Sequence, residues 1–487
     1  MDYTDAVRYL YSLGNEVTAA KLELENISAV LSFLGNPHRG FRAVHVAGTN
    51  GKGSVCAFIE SVLRHAGYRT GLYTSPHLVR IEERIRFCGV MISEADFSRL
   101  TAKAKAAVDR LLEGKAPGSP RLARRPTYFE TVTAIAFEYF AEQQAEIVVA
   151  EVGLGGRLDA TNVLDPMVAV ITNVDLDHQI YLGHRIDEIA TEKAGIIKPR
   201  SYEFFRFSGA FASRPIVNLP VVLGEPQPVV KRIVQNRCAA AGAILVETKR
   251  ECWRSAEPDP QGRFRIGVTS YQGSAPLDIL VGLPGQHQVS NALTALTALE
   301  VLRSGGIRVE ANDIRQGLSQ TDWAGRLDVR EVEGRRIVLD GGHNPAAAGV
   351  VRDHLKRFVP EGLAAMVYGS MRDKDVVEIG RLLFPLARTV ILTEPNSIRS
   401  LAPAEIVRMH PELASRFRVT TSAPQALESA LRATARGEVI AVVGSLYLVG
   451  EALEWLQRRA NPTTEVALSE EMVVPPSNLA VLSKQGG

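Results

Sequence analysis

The sequence predicts an α/β protein with a P-loop in a mostly parallel sheet flanked by helices, plus a smaller C-terminal Rossmann-like α/β domain. Two observations predict this fold class. The stretch from Phe41 to Gly67 has the order strand, glycine-rich turn and helix. After residue 326, short apolar runs, which are typical of buried strands, alternate regularly with helical segments.

The length of the chain predicts more than one domain. At 487 residues, it exceeds the ~100–200 residues of an ordinary domain. The segment Thr321–Arg326 is the best candidate for a linker. We therefore expect a P-loop domain over residues 1–322, a C-terminal α/β domain over 323–459 and a flexible tail over 460–487.

The first elements follow from the apolar pattern. Residues 1–40 are predicted to form two helices, and Arg42–Ala47 is a short run of strand-favouring residues. After a glycine-rich turn, apolar side chains recur at the spacing of one helix face, and Gly67 ends that helix. These apolar positions are Val55, Phe58, Ile59, Val62 and Leu63.

The turn between this strand and helix has the composition of a phosphate-binding loop. Its glycines let successive backbone N–H groups point inward at a helix N-terminus, where a polyphosphate binds favourably. Lys52 would reach the outer phosphates, and Ser54 would bind Mg²⁺. The usual P-loop spelling is not met, because Val46 replaces the first glycine and Gly53 separates Lys52 from Ser54. The alternative is a purely structural turn, which has no use for the lysine and serine.

Polar residues follow several other predicted strands. Glu151 ends the apolar run from Ile147, and His178 follows the run Met167–Thr172. Ligands bind at the carboxyl ends of strands in open α/β sheets. Together with Ser54, these residues would suit Mg²⁺ or Mn²⁺ bound with nucleotide phosphates. A single histidine in such a position is otherwise more often a core or capping residue.

Three further segments have less specific patterns. The aromatic pair Tyr128 and Phe129 precedes an amphipathic helix, and core packing competes there with ligand binding. Lys193 lies on a predicted helix, Ile186–Ile196, where a solvated face is the simple interpretation. Residues 199–219 show no clear period.

Composition excludes several classes of function. The net charge of +2 gives no reason to expect a nucleic-acid partner, and no apolar run nears the ~18 residues of a membrane span. The four cysteines form no C-x-x-C pair, which argues against a zinc site and favours a reducing compartment. We expect a cytoplasmic monomer.

With these residues assembled, the sequence closely resembles the folylpolyglutamate synthase and dihydrofolate synthase family of the Mur ligase group. Any one motif alone would be weak, but their joint presence in this order is highly specific. The motifs are HVAGTNGKGS (45–54), TSPHL (74–78), YFE (128–130), EVGLGGRLDATN (151–162), DHQIYLG (177–183), EKAGIIK (192–198), LPGQHQVSNA (283–292), WAGR (323–326), DGGHNP (340–345) and GSLYLVGE (444–451).

The resemblance implies a ligase that uses ATP and two Mg²⁺ ions to join L-glutamate to the carboxylate of dihydropteroate or a folate. Such an enzyme serves folate biosynthesis and polyglutamylation. The sequence does not decide between its two activities, although the residues around Tyr128 resemble bifunctional bacterial enzymes. The alternatives are a peptidoglycan-type Mur ligase and a P-loop nucleotide-binding module without ligase activity.

The same resemblance implies roles for individual residues. Lys52, His343 and Lys193 would be catalytic, with Lys193 carbamylated. The implied nucleotide contacts are Gly48, Thr49, Asn50, Gly51, Lys52, Gly53, Ser54, Asn291, Arg326 and Asp340. The implied substrate contacts are Ser75, His77, Tyr128 and Phe129. The implied metal ligands are Ser54, Ser75, Glu151, His178 and Lys193.

Two departures from the family pattern stand out. Gly342 occupies a position that is usually alanine, which leaves Asp340 and His343 in place. Residues 200–219 have no recognisable counterpart and are interpreted as an insertion. If this insertion folds back on Lys193, the second metal site is in doubt.

Overall fold

The computed structural model describes residues 1–14, 23–115, 121–122, 124–199, 218–224, 227–248, 253–255, 257–268 and 277–460. The predicted tail, apart from its first residue, and most of the 200–219 insertion lie outside these ranges. Within the described residues, no helix is long and apolar enough to cross a membrane.

Helices and strands alternate along most of the chain. The helices are α1 (Tyr3–Ser12), α2 (Glu25–Phe33), α3 (Lys52–His65), α4 (Glu94–Leu112), α5 (Tyr128–Glu142), α6 (Gln179–Leu182), α7 (Ile186–Ala194), α8 (Pro228–Ala241), α9 (Gln286–Ser304), α10 (Ala311–Ser319), α11 (Pro345–Phe358), α12 (Val376–Leu383), α13 (Pro403–Met409), α14 (Ala423–Ala433) and α15 (Leu446–Ala460).

The strands belong to three sheets. They are β1 (Arg42–Ala47), β2 (Thr70–Tyr73), β3 (Ile85–Phe87), β4 (Val90–Met91), β5 (Ile147–Glu151), β6 (Val168–Ile171), β7 (Pro220–Leu223), β8 (Ile244–Glu247), β9 (Trp253–Ser255), β10 (Arg265–Val268), β11 (Leu277–Leu280), β12 (Asp328–Val332), β13 (Arg335–Asp340), β14 (Leu363–Tyr368), β15 (Ala387–Leu392), β16 (Phe417–Val419) and β17 (Val439–Val443).

The first sheet has the strand order β4-β3-β2-β5-β1-β6-β7-β8. Its pairs are parallel from β2 to β8, and only β3 and β4 run antiparallel to their neighbours. Val46 pairs with Glu151 on one side of β1 and with Val170 on the other. The register therefore brings the carboxyl ends of β1, β5 and β6 to one edge, where a ligand site is expected.

The central strand β1 is covered on both faces. Ala43 belongs to a core that includes Phe137 of α5, whereas the next residue, Val44, packs in a second core with Phe58 of α3. Successive side chains of a strand point to opposite faces. This double burial explains why the apolar residues of β1 do not alternate strictly with polar ones.

A small antiparallel sheet, in the order β11-β10-β9, precedes helix α9. The last sheet has the order β12-β13-β17-β14-β15-β16, and all of its pairs are parallel except β12 with β13. Its two faces are also buried, as Met366 and the adjacent Val367 lie in different cores.

These sheets confirm the predicted α/β fold class. We call the part of the chain up to α10 the N-terminal unit and the β12–β17 sheet with its helices the C-terminal unit. The predicted domain boundary between residues 322 and 323 stays a prediction.

Candidate active site

The glycine-rich loop between β1 and α3 closes against neighbouring side chains. Gly51 caps α3 with a φ of 81°, and a Cβ added there would lie 2.4 Å from Oδ1 of Asn291. A Cβ on Gly53 would lie 3.0 Å from Nε1 of Trp323 and 3.5 Å from Glu151. A Cβ at the off-pattern Gly53 would therefore be tight against the indole of Trp323, and glycine fits this close approach.

The end of strand β6 braces this loop. Asn173 accepts a hydrogen bond from the backbone N–H of Asn50 at 2.8 Å, and the Thr172 hydroxyl donates to the Asn50 carbonyl at 2.7 Å. The Lys52 ammonium donates to the Thr49 carbonyl at 3.1 Å. The loop is thus held on both sides of Asn50 by groups from a neighbouring strand.

One cavity, which we call the P-loop cavity, collects most of the predicted functional residues. Every predicted nucleotide contact, catalytic residue and metal ligand lines it. The N-terminal unit supplies the glycine-rich loop, Glu151, His178 and Lys193, and the C-terminal unit supplies Asp340 and His343. These residues are separated by almost 300 positions in the sequence, and the two units bring them to one site.

Oxygen ligands meet at the start of helix α3. Glu151 is buried and accepts a hydrogen bond from the backbone N–H of Ser75 at 3.1 Å. Burial raises the pKa of Glu151, while the positive charge of Lys52 opposes the shift. The Ser54 hydroxyl accepts a hydrogen bond from the buried amide of Gln288 at 3.2 Å. A carboxylate and a hydroxyl in this setting are the donor types that Mg²⁺ prefers.

Lys193 is a buried amine. Its Nζ donates to the Gly48 carbonyl at 2.7 Å, and the residue is 5% exposed. Burial, together with the charge of Lys52, lowers the pKa of Lys193 to about 7. A large fraction of this side chain is therefore a neutral, nucleophilic amine near neutral pH.

Asp177 connects the two units. Its Oδ1 accepts from the Lys374 ammonium at 2.6 Å, and its Oδ2 lies 3.4 Å from Nε2 of His343. Burial would raise the pKa of Asp177, but the hydrogen bond of His343 and the positive charge of Lys374 hold it well below its usual value. The ionised carboxylate therefore gathers cationic and polar groups of the C-terminal unit.

Two imidazoles lie beside this carboxylate. Burial lowers the pKa of His178 to about 3 despite the opposing charge of Asp177, so the ring is neutral and can act as a ligand. Nδ1 of His343 donates to the Gly341 carbonyl at 2.9 Å, which leaves Nε2 facing Asp177. Within the described part of the chain, Asp177, His178 and His343 form a group whose ligand atoms lie within 4.8 Å of one another.

Asp340 organises the first loop of the C-terminal unit. Its carboxylate accepts hydrogen bonds from the backbone N–H groups of Gly342 at 2.7 Å and Leu327 at 2.9 Å. Burial raises its pKa, and the charge of Arg326 opposes the shift. A Cβ on Gly342 would lie 2.9 Å from Oδ1 of Asp340, so the glycine that departs from the family pattern fits a close approach.

A second cavity, which we call the Phe129 cavity, adjoins the first. Phe129 lines it from the N-terminal unit, while Lys374 and Arg399 line it from the C-terminal unit. Ser75 contributes to both cavities. The ring of Phe129 packs so closely on Gly153 that a Cβ there would lie 2.5 Å from its Cζ.

The structure does not bring two predicted substrate contacts into these cavities. Tyr128 is 2% exposed and stacks on Tyr11, with ring centroids 5.6 Å apart. Nδ1 of His77 accepts from Nε of Arg84 at 2.8 Å, and burial lowers the pKa of His77 well below its usual value. Helix α5 begins at Tyr128, and adjacent helical residues point about 100° apart. Tyr128 and Phe129 therefore face different environments.

Sequence reasoning missed several residues of the site. Lys374 has a side chain only 6% exposed, but the surrounding run of charged residues gave no sign that this lysine is buried. Asn344 and Gln288 lie inside motifs that were noticed, yet their side-chain partners come from distant segments. Asp177 follows the end of a predicted strand, a position that is typical of ligand-binding residues. It was nevertheless assigned no role of its own from the sequence alone.

Comparison with known proteins defines the class of this chain. A family model described as "Mur ligase, glutamate ligase domain" matches residues 325–446. The chain is 32% identical over 458 residues to the folylpolyglutamate synthase of Lacticaseibacillus casei, covering 94% of this chain and 99% of that one. It is 32% identical over 438 residues to the dihydrofolate synthase/folylpolyglutamate synthase of Escherichia coli, covering 90% and 92%.

Another relative is longer. The probable bifunctional folylpolyglutamate synthase/dihydropteroate synthase of Haloferax volcanii is 34% identical over 480 residues, which are 96% of this chain and 52% of that protein. The chain thus spans about half the length of that relative.

Solved structures give the same result. E. coli FolC in complex with DHPP and ADP superposes with a TM-score of 0.77 at 28% identity, over 94% of this chain and 99% of that one. The Mycobacterium tuberculosis folylpolyglutamate synthase complexed with ADP has a TM-score of 0.80 at 29% identity, covering 93% and 97%. The protein is thus a ligase of the Mur type. Within that class, the chain belongs to the folylpolyglutamate synthase/dihydrofolate synthase family.

Proposed function

We propose that the protein joins L-glutamate to the carboxylate of dihydropteroate, of a reduced folate or of both, with ATP converted to ADP. The observation that carries this proposal is the P-loop cavity, where a phosphate-binding loop faces His343 across the two units. Relatives bound to ADP and DHPP support the same substrates. No observation favours a peptidoglycan substrate or a module without ligase activity.

The chemistry explains why the site has this form. A carboxylate does not react with an amine at neutral pH, because its oxygen is a poor leaving group. Transfer of the ATP γ-phosphoryl group to the carboxylate gives an acyl phosphate, which the glutamate amine attacks to form the amide and release phosphate. Such a reaction needs positioning and neutralisation of charge more than a protein nucleophile. Lys52 and His343 would supply these functions.

We assign the remaining nucleotide contacts to the residues that line the P-loop cavity. The backbone from Gly48 to Ser54 would hold the phosphates, and Asn291 beside Gly51 would fix the edge of the loop. Arg326, in the connection before β12, and Asp340 of the C-terminal unit would complete the nucleotide site.

The ligand set fits two Mg²⁺ ions, which would neutralise phosphate charge. Ser54, Glu151 and Ser75 would hold the first ion. His178 would hold the second, together with Lys193 if its amine is carbamylated. As an ammonium, Lys193 is a donor and repels a cation, but the lowered pKa favours the neutral amine that reacts with CO₂. Carbamylation converts this side chain into an anionic oxygen ligand.

The Phe129 cavity would hold the pterin or folate. Phe129 offers an aromatic face, and Ser75 connects this cavity with the phosphate site. His77 and Tyr128 would act indirectly, because they support the Ser75 loop and helix α5 from the core.

We further propose that the protein is a cytoplasmic monomer that does not bind nucleic acid. Light scattering of the purified protein would test its oligomeric state.

One experiment tests the activity and the choice of substrate. Glutamate-dependent release of ADP is measured with dihydropteroate and with a reduced folate, side by side. Stimulation by dihydropteroate alone identifies a dihydrofolate synthase, by the folate alone a folylpolyglutamate synthase, and by both a bifunctional enzyme. Failure of both acceptors to stimulate ADP release would refute the proposal.

A further inference from the structure

The side chain of Asn344 connects the two units at the glycine-rich loop. Its Nδ2 donates to Oδ1 of Asn50, in that loop, at 2.9 Å and to Oδ2 of Asp177 at 3.3 Å. Its Oδ1 accepts from the backbone N–H of Ala347 at 2.9 Å and so caps helix α11. The residue is 2% exposed, and each polar atom of its side chain has a partner.

The partners of Asn344 are themselves fixed. The backbone of Asn50 is held on both sides by Thr172 and Asn173 at the end of β6. Asp177 also holds Lys374 of the C-terminal unit. A rotation of Asn344 would therefore leave buried polar groups unpaired, which is costly. The bond to Asn50 defines where α11 begins relative to the phosphate-binding loop.

Helix α11 contacts the N-terminal unit at its other end as well. The Arg357 guanidinium lies 5.7 Å above the ring of Phe264 and forms an ion pair with Glu257. A Cβ on Gly262 would lie 2.6 Å from the ring of His354. These contacts hold the C-terminal end of α11 against the N-terminal unit. Asn344 holds the N-terminal end, which lies beside the proposed reaction site.

The position of α11 affects the chemistry because His343 directly precedes Asn344. On the proposed function, the acyl phosphate forms beside the glycine-rich loop, and His343 lines the same cavity from the C-terminal unit, where our proposal places the incoming amine. If the C-terminal unit moves away by a small distance, water can take the place of the amine. A misplacement of about 1 Å can reduce the rate of a positioned reaction by about 10²-fold.

We propose that Asn344 is a positioning residue that couples acyl-phosphate formation to capture by glutamate, an inference that rests on the proposed function. In the coupled reaction, the amine nitrogen forms a bond to the acyl carbon, loses a proton and displaces phosphate. In the uncoupled reaction, water attacks the acyl carbon instead, loses a proton, displaces phosphate and regenerates the carboxylic acid. ATP is then consumed without amide formation.

The test compares two substitutions that keep the helix cap. Asn344→Ser and Asn344→Asp both retain an oxygen that can accept from Ala347, since serine and aspartate are good N-cap residues. Both lose the amide N–H groups that reach Asn50 and Asp177. ADP release and incorporation of labelled glutamate are measured in the same samples, with whichever acceptor the wild-type protein uses.

We expect the ratio of ADP released to amide formed to rise several-fold in both variants, from one in the wild-type protein. A merely structural cap does not predict this ratio, because loss of folded protein lowers both quantities together. As a matched control, Ser93→Ala removes the N-cap of α4, where Ser93 accepts from Asp96 at 3.1 Å. Its ratio should stay at one.

A double substitution sharpens the test. Asn50→Ala removes the acceptor in the loop and should raise the same ratio. Because Asn50→Ala and Asn344→Ser break one shared hydrogen bond, the double variant should be no more uncoupled than the stronger single variant. Fully multiplicative effects would overturn the inference.

The remaining outcomes separate this inference from the proposed function. If the wild-type protein makes one amide per ADP and both Asn344 variants do the same, the inference is wrong and the proposed function stands. If glutamate never stimulates ADP release by the wild-type protein, the proposed function is wrong, and the inference falls with it.

Discussion

The two walls of the P-loop cavity are built in different ways. We call the glycine-rich loop, Gly48–Ser54, the N-terminal wall; it is a run of adjacent residues whose backbone curls around the start of one helix. The C-terminal wall consists of side chains from separate strand ends: His343 follows β13 and lines the P-loop cavity, and Lys374 follows β14 and lines the adjoining Phe129 cavity. One wall is local in sequence, and the other exists only in the folded protein.

The walls also differ in electrostatics. The N-terminal wall presents backbone N–H groups and a helix N-terminus, which are fixed partial charges. The C-terminal wall depends on full charges that meet at Asp177, including the buried ammonium of Lys374. We therefore expect substitutions in the first wall to affect phosphate chemistry and substitutions in the second to affect both amine capture and the contact between the units.

The largest expected effect is that of Lys52→Ala. The substitution removes the positive charge of Lys52 that would face the phosphates. It should reduce ATP-dependent glutamate incorporation by about 10³-fold, because a group that stabilises developing charge in a closed site contributes this much. The fold should be retained, as monitored by circular dichroism. Lys105→Ala, which removes a surface ion pair with Asp109, is the control and should be fully active. Near-normal turnover of Lys52→Ala would contradict the role of this wall.

Lys193→Ala should reduce turnover by at least about 10²-fold, as expected when the ligands of a catalytic metal are disturbed. Short carboxylic acids should restore part of the activity, since they can occupy the place of a carbamate. The measurement is the rate of ADP release with increasing acetate. Full activity of Lys193→Ala without an added acid would exclude a role for the carbamate. If acetate stimulated the wild-type protein to the same extent, its effect on the variant would not be evidence for a missing carbamate.

The difference between the walls explains how much the sequence could predict. The glycine-rich loop is a local motif that directly precedes α3. Its residues, and their position at the start of that helix, could therefore be predicted from the sequence. The parallel sheet around β1 followed from apolar runs that end in polar residues. Glu151 and His178 were predicted because parallel strands place their ends together.

The rest could not be predicted because it depends on tertiary contacts. Lys374 becomes a buried partner of Asp177 only when the two units meet, and in the sequence it is one charge among several. The placement of Tyr128 in the core depends on where α5 begins, which sets the direction of each side chain. Gly53 departs from the usual P-loop spelling but belongs to the family motif, and only the fold shows that it lies against Trp323.

Lys374→Met should weaken the C-terminal wall. Removing one partner of a buried charge pair costs about 3 kcal/mol, because the other charge is left without compensation. We expect a lower Tm and a rise in KM for the pterin or folate acceptor, whose proposed cavity Lys374 lines, that exceeds the rise in KM for ATP. Lys231→Met, which removes an ion pair with Glu247 whose two side chains are each 38% exposed, is the control for loss of a lysine. Equal changes in the two KM values would contradict the division between the walls.

The smallest expected effect belongs to His45, which lies on β1 behind the N-terminal wall and contacts Thr161 at 2.8 Å. Burial, with a smaller effect of the Lys198 charge, lowers the pKa of His45 to about 3. The unfolded chain binds a proton near pH ~6.5 whereas the folded protein does not, so stability falls as the pH drops below that value. This one group should cost about 2 kcal/mol by about pH 5. His45→Gln should therefore lose less Tm between neutral pH and about pH 5 than the wild-type protein. The same substitution at the exposed His184 is the control, and parallel Tm curves for wild type and His45→Gln would contradict the prediction.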